Sequence, residues 1–437
     1  MMNYKLSKYT HITELENCFA LYNSLTESIA QVNNKKEFNE LLNNIEDSEL
    51  SKNLIRDEFI VPNNVDETRL ANAKFMKKWA NKDLTLTLLP SLECNFRCPY
   101  CYENFKDVRF SEDDIASIEK FVKLNINQYE TVNIGWFGGE PLLEIDVIDK
   151  LSKKLIEVCR FFKKPYFSSI TTNGYFLTPE VFKKMLRNRI YSYQITLDGL
   201  PKTHNNSRIL KDSKEGTFDV ILSNLRQIKQ VKSGLFVITI RTNVTKEIYE
   251  DFDEYLKFLH GEFGDDSRFK FLFRLTGNWG GPRAFKMKKS LIKDVTPLYD
   301  KMMKSDYKLD YSTYFQALRS GVCETVFGQN RFLIKPGGTV SKCTCFLGGK
   351  RNELGELQDG ILNLDKQKQA DWDFQFDKIP KECFDCTRYA SCFNMGCPVK
   401  NIGKEPKAKC SWESYHIDKV LALLFTNVEQ YPFIRRY

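Results

Sequence analysis

Residues 94–101 read Cys94-Asn95-Phe96-Arg97-Cys98-Pro99-Tyr100-Cys101 and directly follow an apolar stretch typical of a β-strand. The C-x3-C-x2-C spacing provides three thiolates, whereas iron–sulfur clusters are normally held by four. A cubane held by three thiolates keeps one iron open for a substrate or a cofactor. The alternative interpretation is a zinc site or a purely structural cluster. Zinc sites usually close to four Cys or His ligands, and the sequence has no fourth such residue close to this run.

Further short motifs follow in chain order: Gly138-Gly139-Glu140-Pro141, Thr172-Asn173-Gly174, Thr196-Leu197-Asp198-Gly199, and the pair His204 and Arg208 in an H-x3-R spacing. Each motif is weak alone, but the set is specific because the first three follow apolar strand-like runs in a fixed order. With Tyr100 at the aromatic position of the cysteine loop, the set resembles the radical S-adenosylmethionine (SAM) enzymes. The resemblance extends over about residues 84–410, which is most of the chain.

The resemblance implies that the amino and carboxylate groups of SAM chelate the open iron of a [4Fe–4S] cluster held by Cys94, Cys98 and Cys101. It also implies a set of SAM-binding residues: Tyr100, Gly138, Gly139, Glu140, Asn173, Thr196, Asp198 and Arg208. Glu140 would accept hydrogen bonds from the SAM ammonium, and the two glycines would bring the backbone close to the ligand. Three roles stay open: Tyr100 packs on the adenine or fills the core, Asp198 contacts SAM or caps a helix, and Arg208 binds the SAM carboxylate or lies at the surface. His204 is expected to be structural.

Strand and helix patterns alternate from residue 84 to about residue 277. The apolar runs are Leu84–Leu89, Val132–Phe137, Tyr166–Thr171, Tyr191–Leu197, Phe236–Arg241 and Phe269–Leu275, and the helical patterns between them are Glu112–Leu124, Ile145–Phe161, Pro179–Leu186, Phe218–Val231 and Ile248–Phe258. Short runs rich in branched and aromatic residues are typical of buried parallel strands. The pattern predicts an α/β fold with a partial parallel (β/α)6 TIM-like barrel, in which the motifs lie at the carboxyl ends of the strands. A doubly wound open sheet would place them similarly.

Residues 1–83 carry no chemical motif. The stretches Tyr4–Ile12 and Cys18–Val32 are strand-like, and Phe38, Leu41, Leu42 and Ile45 recur at helical spacing. We expect a small N-terminal α/β region that recognises a peptide. Adding a peptide strand to a sheet edge is one way to do so.

Eight of the thirteen cysteines lie between Cys323 and Cys410. Their spacing resembles the SPASM domain, which carries two auxiliary [4Fe–4S] clusters, although the last gap of the C-x5-C-x4-C block is one residue longer than usual. The resemblance implies one cluster on Cys323, Cys343 and Cys397, with Cys345 or the substrate as the fourth ligand. It implies a second cluster on Cys383, Cys386, Cys392 and Cys410. Zinc is the alternative for the whole block, since C-x2-C units suit zinc as well.

The bulk properties restrict the class of protein. The chain has 437 residues, is 42% hydrophobic and carries a net charge of only +8, so nothing calls for nucleic acid. The start has no signal-peptide pattern, and no run of 18 apolar residues exists, so we expect neither secretion nor a membrane span. Many cysteines without a secretion signal favour a reducing, cytoplasmic location. The oligomeric state is not predictable.

The resemblance implies three regions: an N-terminal region at 1–83, a radical SAM core at 84–309 and a SPASM-type iron–sulfur domain at 310–437. It implies an enzyme that cleaves SAM reductively to a 5′-deoxyadenosyl radical. That radical takes a hydrogen atom from a peptide or protein substrate. A reductant such as flavodoxin or ferredoxin would supply the electron.

The predicted activity is maturation of a ribosomally made peptide with a leader, by a thioether or carbon cross-link or by another modification such as epimerisation. Anaerobic sulfatase maturation, which produces formylglycine, is an alternative. It is disfavoured because Thr344 stands where those enzymes tend to carry an aspartate, and because more than 80 residues precede the cysteine loop. A non-catalytic iron–sulfur electron-transfer protein is an alternative of another class, and a small-molecule oxidoreductase is a third.

Overall fold

A computed structural model describes residues 3–45, 47–277, 294, 296–307, 309–319, 321–323, 327–373, 379–394, 397, 399, 410, 416–426 and 428–437. The first secondary-structure elements are β1 (Tyr4–Leu6), β2 (Thr10–Glu14), β3 (Phe19–Asn23), β4 (Ile29–Val32), α1 (Lys35–Asn43), α2 (Glu49–Arg56), β5 (Ile60–Pro62) and α3 (Glu67–Trp79). Strands β2, β3 and β4 form an antiparallel sheet. Its inner face packs on α1 and α2 through a small apolar core that includes Phe19, Phe38 and Leu54. The expected strands and helices are present in this region, and its role in peptide recognition stays a prediction.

The central part of the chain alternates strictly between strands and helices. Its elements are β6 (Asp83–Leu88), α4 (Glu112–Asn125), β7 (Thr131–Trp136), α5 (Ile145–Phe161), β8 (Tyr166–Thr172), α6 (Pro179–Arg187), β9 (Ile190–Thr196), α7 (Pro201–Ser207), α8 (Phe218–Lys229), β10 (Val237–Val244), α9 (Lys246–Glu250), α10 (Phe252–Phe263) and β11 (Phe269–Leu275). One predicted helix, Ile248–Phe258, is wrong in its extent. It divides into α9 and α10 because the backbone at Asp251 (φ −99°, ψ 17°) leaves the helical region.

The six strands β6 to β11 are parallel, and each pairs with its neighbours in chain order. A doubly wound sheet would reverse its strand order at a switch point, so the consecutive order identifies the partial barrel instead. Strand β11 forms one edge of this sheet. At the other side, β6 pairs in parallel with a later strand, β12 (Arg331–Ile334).

The strands alternate apolar and polar residues, which the sequence prediction of fully buried runs missed. In β6, Leu84, Leu86 and Leu88 are buried in the main core, whereas Thr87 lines a central cavity. The same holds in β10, where Ile240 is in the core and Arg241 lines the cavity. A barrel covers only the outer face of its strands with helices, so the inner face is free to carry polar side chains.

The remaining elements are α11 (Thr296–Lys304), α12 (Ser312–Arg319), β12, β13 (Thr339–Ser341), β14 (Glu353–Gln358), β15 (Ile361–Leu364), α13 (Lys366–Asp373), α14 (Tyr389–Cys392), α15 (Ile417–Phe425) and β16 (Arg435–Arg436). Strands β12 to β15 extend the barrel sheet. Five apolar residues of α15 are buried in the main core, and β16 pairs with β4 of the N-terminal sheet. The described parts of this region therefore share both sheet and core with the barrel.

Within the part of the chain that the structure describes, no helix is long and apolar enough to cross a membrane.

Candidate functional site

A cavity of about 920 Å³ opens at the carboxyl ends of the barrel strands. It brings together residues from every predicted motif: Cys94, Cys98, Tyr100, Cys101, Gly138, Gly139, Asn173, Thr196 and Arg208. Three cysteines of the C-terminal set, Cys345, Cys397 and Cys410, also line it. Of the predicted SAM-binding residues, Glu140 and Asp198 do not line it, and both are almost fully buried behind its wall.

The cysteine loop is held in place by its own backbone. Arg97 donates from its backbone to Ile209 O at 2.7 Å, and its guanidinium bonds Phe96 O at 2.8 Å and the Glu93 carboxylate at 2.7 Å. Arg97 therefore holds the cysteine loop in its conformation. The Phe96 N–H donates to the Cys94 sulfur at 3.3 Å, a contact that favours a thiolate.

The Gly138-Gly139 turn packs directly against the cysteine loop. Gly138 has φ +113°, and a Cβ there would lie 2.5 Å from Ser91 O, while a Cβ on Gly139 would lie 2.1 Å from Glu93 O. The Glu140 N–H donates to that same Glu93 carbonyl at 2.9 Å. These glycines are therefore needed for contact between two protein segments, in addition to any approach to a ligand that the cavity holds.

The Glu140 carboxylate fastens the end of β8 to this turn. It accepts hydrogen bonds from Thr172 Oγ1 at 2.6 Å, from Asn173 N at 2.7 Å and from Leu142 N at 3.0 Å. Burial raises the pKa of Glu140, and these donors oppose that shift. Its 1% exposure and its place outside the cavity lining give it a positioning role, which differs from the predicted direct contact with SAM.

The Asp198 carboxylate likewise accepts hydrogen bonds from more than one neighbour behind the cavity wall. The Tyr100 hydroxyl donates to its carboxylate, Arg208 Nη1 donates to the Tyr100 hydroxyl at 2.9 Å, and Asn243 N donates to Asp198 at 2.8 Å. Asp198 is fully buried and neither caps a helix nor reaches the cavity. It orients Tyr100, whose ring does line the cavity. Arg208 is buried rather than at the surface, and its Nε has no hydrogen-bond partner among the described residues.

His204 is fully buried and accepts a hydrogen bond from Asp198 N at 3.2 Å. Burial lowers the pKa of this imidazole well below its usual range. A neutral ring that caps the strand end is the structural role that the sequence indicated.

The C-terminal cysteines fall into two neighbourhoods. Cys343 donates a hydrogen bond to Cys345, and both pack in one small apolar cluster with Cys323. In the other neighbourhood Cys383 lies close enough to Cys386, Cys392 and Cys410 for their charges to raise the pKa of its thiol, after burial, to about 11. Cys397 lines the cavity together with Cys345 and Cys410. The two predicted sets of cluster ligands stay a prediction. Among the described residues, no group of three or more Cys, His, Asp or Glu side chains meets the geometry for holding a metal ion.

A buried asparagine shapes the loop around Cys343. Asn352 Oδ1 accepts from the backbone N–H of Lys342 at 3.2 Å and of Cys343 at 2.8 Å, and its Nδ2 donates to Cys343 O at 2.9 Å. Gly338, the glycine of the G-x4-C spacing, has φ +73°, and a Cβ there would lie 2.3 Å from Leu357 O. A larger residue would push this loop away from β14.

The cavity also contains charged residues that the sequence reading missed. Glu103 is 7% exposed, and burial, with the nearby Cys345 and Glu140, raises the pKa of its carboxyl to about 8. Tyr102 and Cys345 both line the cavity, where the cysteine loop meets the C-terminal set. Arg241 and Arg274 come from the ends of β10 and β11. The period-2 alternation along these strands would have identified both arginines.

Residues 88–259 match the family model of the Radical SAM superfamily. The site, the fold and this match define the class of the central region: residues 88–259 form the Radical SAM domain of an enzyme.

Among individual relatives, the chain is similar to the mycofactocin maturase MftC of Mycolicibacterium smegmatis, with 23% identity over 363 residues that cover 77% of this chain and 85% of MftC. The chain spans 57% and 36% of two other curated relatives. It shares its fold with anSMEcpe bound to AdoMet and the Kp18Cys peptide, with TM-score 0.61 and 19% identity over 80% of this chain and 98% of that one. The chain also shares its fold with Streptococcus suis SuiB bound to precursor peptide SuiA. The TM-score is 0.52, and the identity is 15% over 94% of this chain and 99% of the SuiB chain.

The chemistry of the residues present fits a SAM-binding [4Fe–4S] cluster, SAM and two auxiliary [4Fe–4S] clusters, because cysteine thiolates are the usual ligands of such clusters. Burial raises the pKa of the Cys94 and Cys98 thiols, so their thiolates need a compensating cation such as iron. The unpartnered Nε of Arg208 is a donor suited to a carboxylate. The cavity is at the upper end of the roughly 300–1,000 Å³ typical of small-molecule sites, so it has room for SAM and part of a substrate.

Proposed function

We propose that this enzyme matures a ribosomally made peptide, installing a thioether or carbon cross-link or another modification by hydrogen abstraction. One observation carries the proposal: a single cavity is lined both by the cysteine loop and by Cys345, Cys397 and Cys410. A substrate side chain in this cavity would be close to the SAM site and to the C-terminal thiols at once. That arrangement suits oxidation of a substrate with electrons leaving through auxiliary clusters.

The comparisons support a peptide substrate. MftC is a maturase, SuiB is described with its precursor peptide SuiA, and anSMEcpe is described with a bound peptide. The alignment with SuiB covers 94% of this chain, so the likeness in fold extends beyond the barrel. Sequence identity is low in all three cases, so the kind of bond formed is part of the proposal.

When bound and reduced, the cluster and SAM supply a 5′-deoxyadenosyl radical that removes a hydrogen atom from the substrate. The chain's own residues would hold these groups. Cys94, Cys98 and Cys101 would ligate the cluster, and Arg208 would bind the SAM carboxylate through its free Nε. Tyr100, fixed by Asp198, would form a wall of the SAM site. Asn173 and Thr196 would contact SAM from the ends of β8 and β9, while Glu140 holds the segments around it in register.

For the auxiliary clusters we propose two ligand sets. Cys383, Cys386, Cys392 and Cys410 would hold one cluster. Cys323, Cys343 and Cys345 would hold the other, with Cys397 or the substrate as a further ligand. The shared position of Cys345 and Tyr102 in the cavity lining supports a place for this cluster beside the SAM site. A cytoplasmic reductant such as flavodoxin or ferredoxin would deliver the electron.

Thr344 lines the cavity, and its hydroxyl is not a base at neutral pH. Formylglycine production that relies on an aspartate at this place is therefore not favoured.

The outer edge of β2 is the proposed binding site for a leader peptide, because β2 ends its sheet. Leu15 N donates to Cys18 O at 2.9 Å and Ser24 N donates to Tyr9 O at 3.0 Å, and such paired residues alternate along an antiparallel ladder. The backbone groups of Ile12 and Glu14 therefore point to the open edge, where an extended peptide can pair.

A strand-edge variant tests this site better than deletion of residues 1–80, which would remove β4 and with it the partner of β16. Ile12→Pro removes an outward N–H, whereas Ile12→Ala keeps it and controls for the lost side chain. We expect the proline variant alone to weaken binding of a precursor peptide encoded beside the gene, measured by fluorescence anisotropy. Equal affinity in both variants would exclude this edge.

The experiment for the core proposal is anaerobic reconstitution with iron and sulfide. We expect about twelve irons in the wild type and about eight in a Cys94/Cys98/Cys101→Ala triple variant, at four per cubane. Only the wild type should release 5′-deoxyadenosine from SAM after reduction. Mass spectrometry of the precursor peptide then reports the modification, and a peptide of unchanged mass and stereochemistry despite SAM cleavage would contradict the proposed substrate.

A further inference from the structure

Arg388 is a buried cation whose guanidinium has no hydrogen-bond partner among the described residues. The residue is 3% exposed, and its Nε, Nη1 and Nη2 atoms all lack a hydrogen-bond partner within the part of the chain that the structure describes. Buried guanidinium groups are normally paired, because an isolated buried charge is strongly unfavourable. We therefore expect a negatively charged group to compensate the buried Arg388 charge.

The surroundings of Arg388 identify the missing partner. Its guanidinium lies over the Tyr22 ring, 5.7 Å from the ring centre, and a Cβ on Gly321 would lie 3.1 Å from its Nη2. A Cβ on Gly321 would also lie 2.9 Å from Cys392 Cα, so the Arg388 guanidinium and Cys392 flank the same glycine. The backbone N–H of Arg388 also donates to the Cys386 sulfur at 3.4 Å. Arg388 therefore contacts Cys386 through its backbone, and its guanidinium lies near Cys392.

We propose that Arg388 is the counterion of the auxiliary cluster on Cys383, Cys386, Cys392 and Cys410, and that it raises the reduction potential of this cluster. A cubane with four thiolates is an anion, and one-electron reduction increases its negative charge. A fixed cation in a buried site stabilises the reduced form more than the oxidised form. Arg388 would make this cluster a better electron acceptor than the same cluster without the charge. The proposal rests on the cluster assignment and is independent of which peptide is modified.

The test uses the full-length, reconstituted enzyme and potentiometric EPR. Arg388→Met removes the charge and keeps a long apolar side chain, whereas Arg388→Lys keeps the charge. The control is Arg319→Met, a second arginine near Tyr22 that is half exposed and pairs with Glu27 at 2.7 Å. Cys386→Ser identifies which EPR signal belongs to this cluster.

We expect Arg388→Met to keep about twelve irons, at four per cubane. It should shift the signal that is lost in Cys386→Ser to a more negative potential. The expected change in the reduced-to-oxidised ratio at fixed potential is at least about tenfold, which is about 59 mV for a one-electron couple. Arg388→Lys and Arg319→Met should stay near the wild type.

An unchanged potential in an iron-replete Arg388→Met enzyme would overturn the proposal, and so would a shift in a different cluster. If Arg388→Met loses the cluster, Arg388→Lys decides. A lysine variant with the cluster at near-wild-type potential supports a counterion, and loss in both variants refutes it. Zinc in place of iron at these cysteines would refute it as well, whereas absence of peptide modification alone would affect only the proposed function.

Discussion

Gly139→Ala tests the contact on which the SAM-binding site depends. A Cβ at this position would lie 2.1 Å from Glu93 O, 2.5 Å from Glu93 C and 3.1 Å from Cys94 N. These are backbone atoms of the cysteine loop, so no side chain can rotate away. The turn and the loop would have to separate by more than about 1 Å to reach ordinary contact distances. Overpacking costs about 1–3 kcal/mol, and loss of the Glu140 N–H bond to Glu93 O adds about 1 kcal/mol.

We therefore expect Gly139→Ala to lose roughly 2–4 kcal/mol of unfolding free energy or to detach the loop. Detachment would reduce the iron content from about twelve to about eight and abolish release of 5′-deoxyadenosine. Iron analysis, denaturant unfolding and nucleoside chromatography measure these effects. The matched control is Gly261→Ala in helix α10, where a Cβ meets no atom within 4 Å. It should be neutral or stabilising by up to about 1 kcal/mol.

The reasoning fails if Gly139→Ala keeps full iron content, wild-type stability and wild-type SAM cleavage, because the two segments would then not be in the contact described.

Other residues give further predictions. Asp198→Asn should lower the unfolding free energy by about 1.5–3 kcal/mol, because it removes the buried charge that accepts hydrogen bonds from Tyr100 and Asn243, and a denaturant midpoint equal to that of the wild type would contradict this. Asn352→Ala leaves two buried N–H groups without their acceptor, so the iron bound by the triple cysteine variant should fall below about eight, as measured by iron analysis. Lys74 and Arg319 outweigh the burial of Glu27 and lower the pKa of its carboxyl. Its contribution, about 1 kcal/mol, is present above the unfolded-state pKa and disappears as pH falls through the folded-state pKa. Glu27→Gln should therefore be less stable than the wild type at pH 7 and equal to it in acid, and a constant difference would refute the ion pair.

The order of the motifs along the chain was readable from the sequence because each one follows a strand. Parallel strands end at one edge, so Cys94, Gly138, Asn173 and Thr196 had to converge. Helix positions were equally predictable from apolar periodicity, and the main error came at Asp251, where a single residue divides a continuous pattern into two helices.

The direction of individual side chains was not readable in this way. Glu140 and Asp198 belong to motifs of the SAM site, but both point away from the cavity because neighbouring strand ends offer them better donors. The pairing of β12 with β6 joins residues about 250 positions apart, and no local pattern encodes such a contact.

The sequence by itself determined the class of enzyme, the barrel and the identity of its thiols, because these depend on residue types at short spacings. Only the tertiary structure decided which side chains face the cavity, which thiols share a neighbourhood and where Arg388 lies. Those properties depend on contacts between distant segments, whose geometry arises only when the sheet and the core are complete.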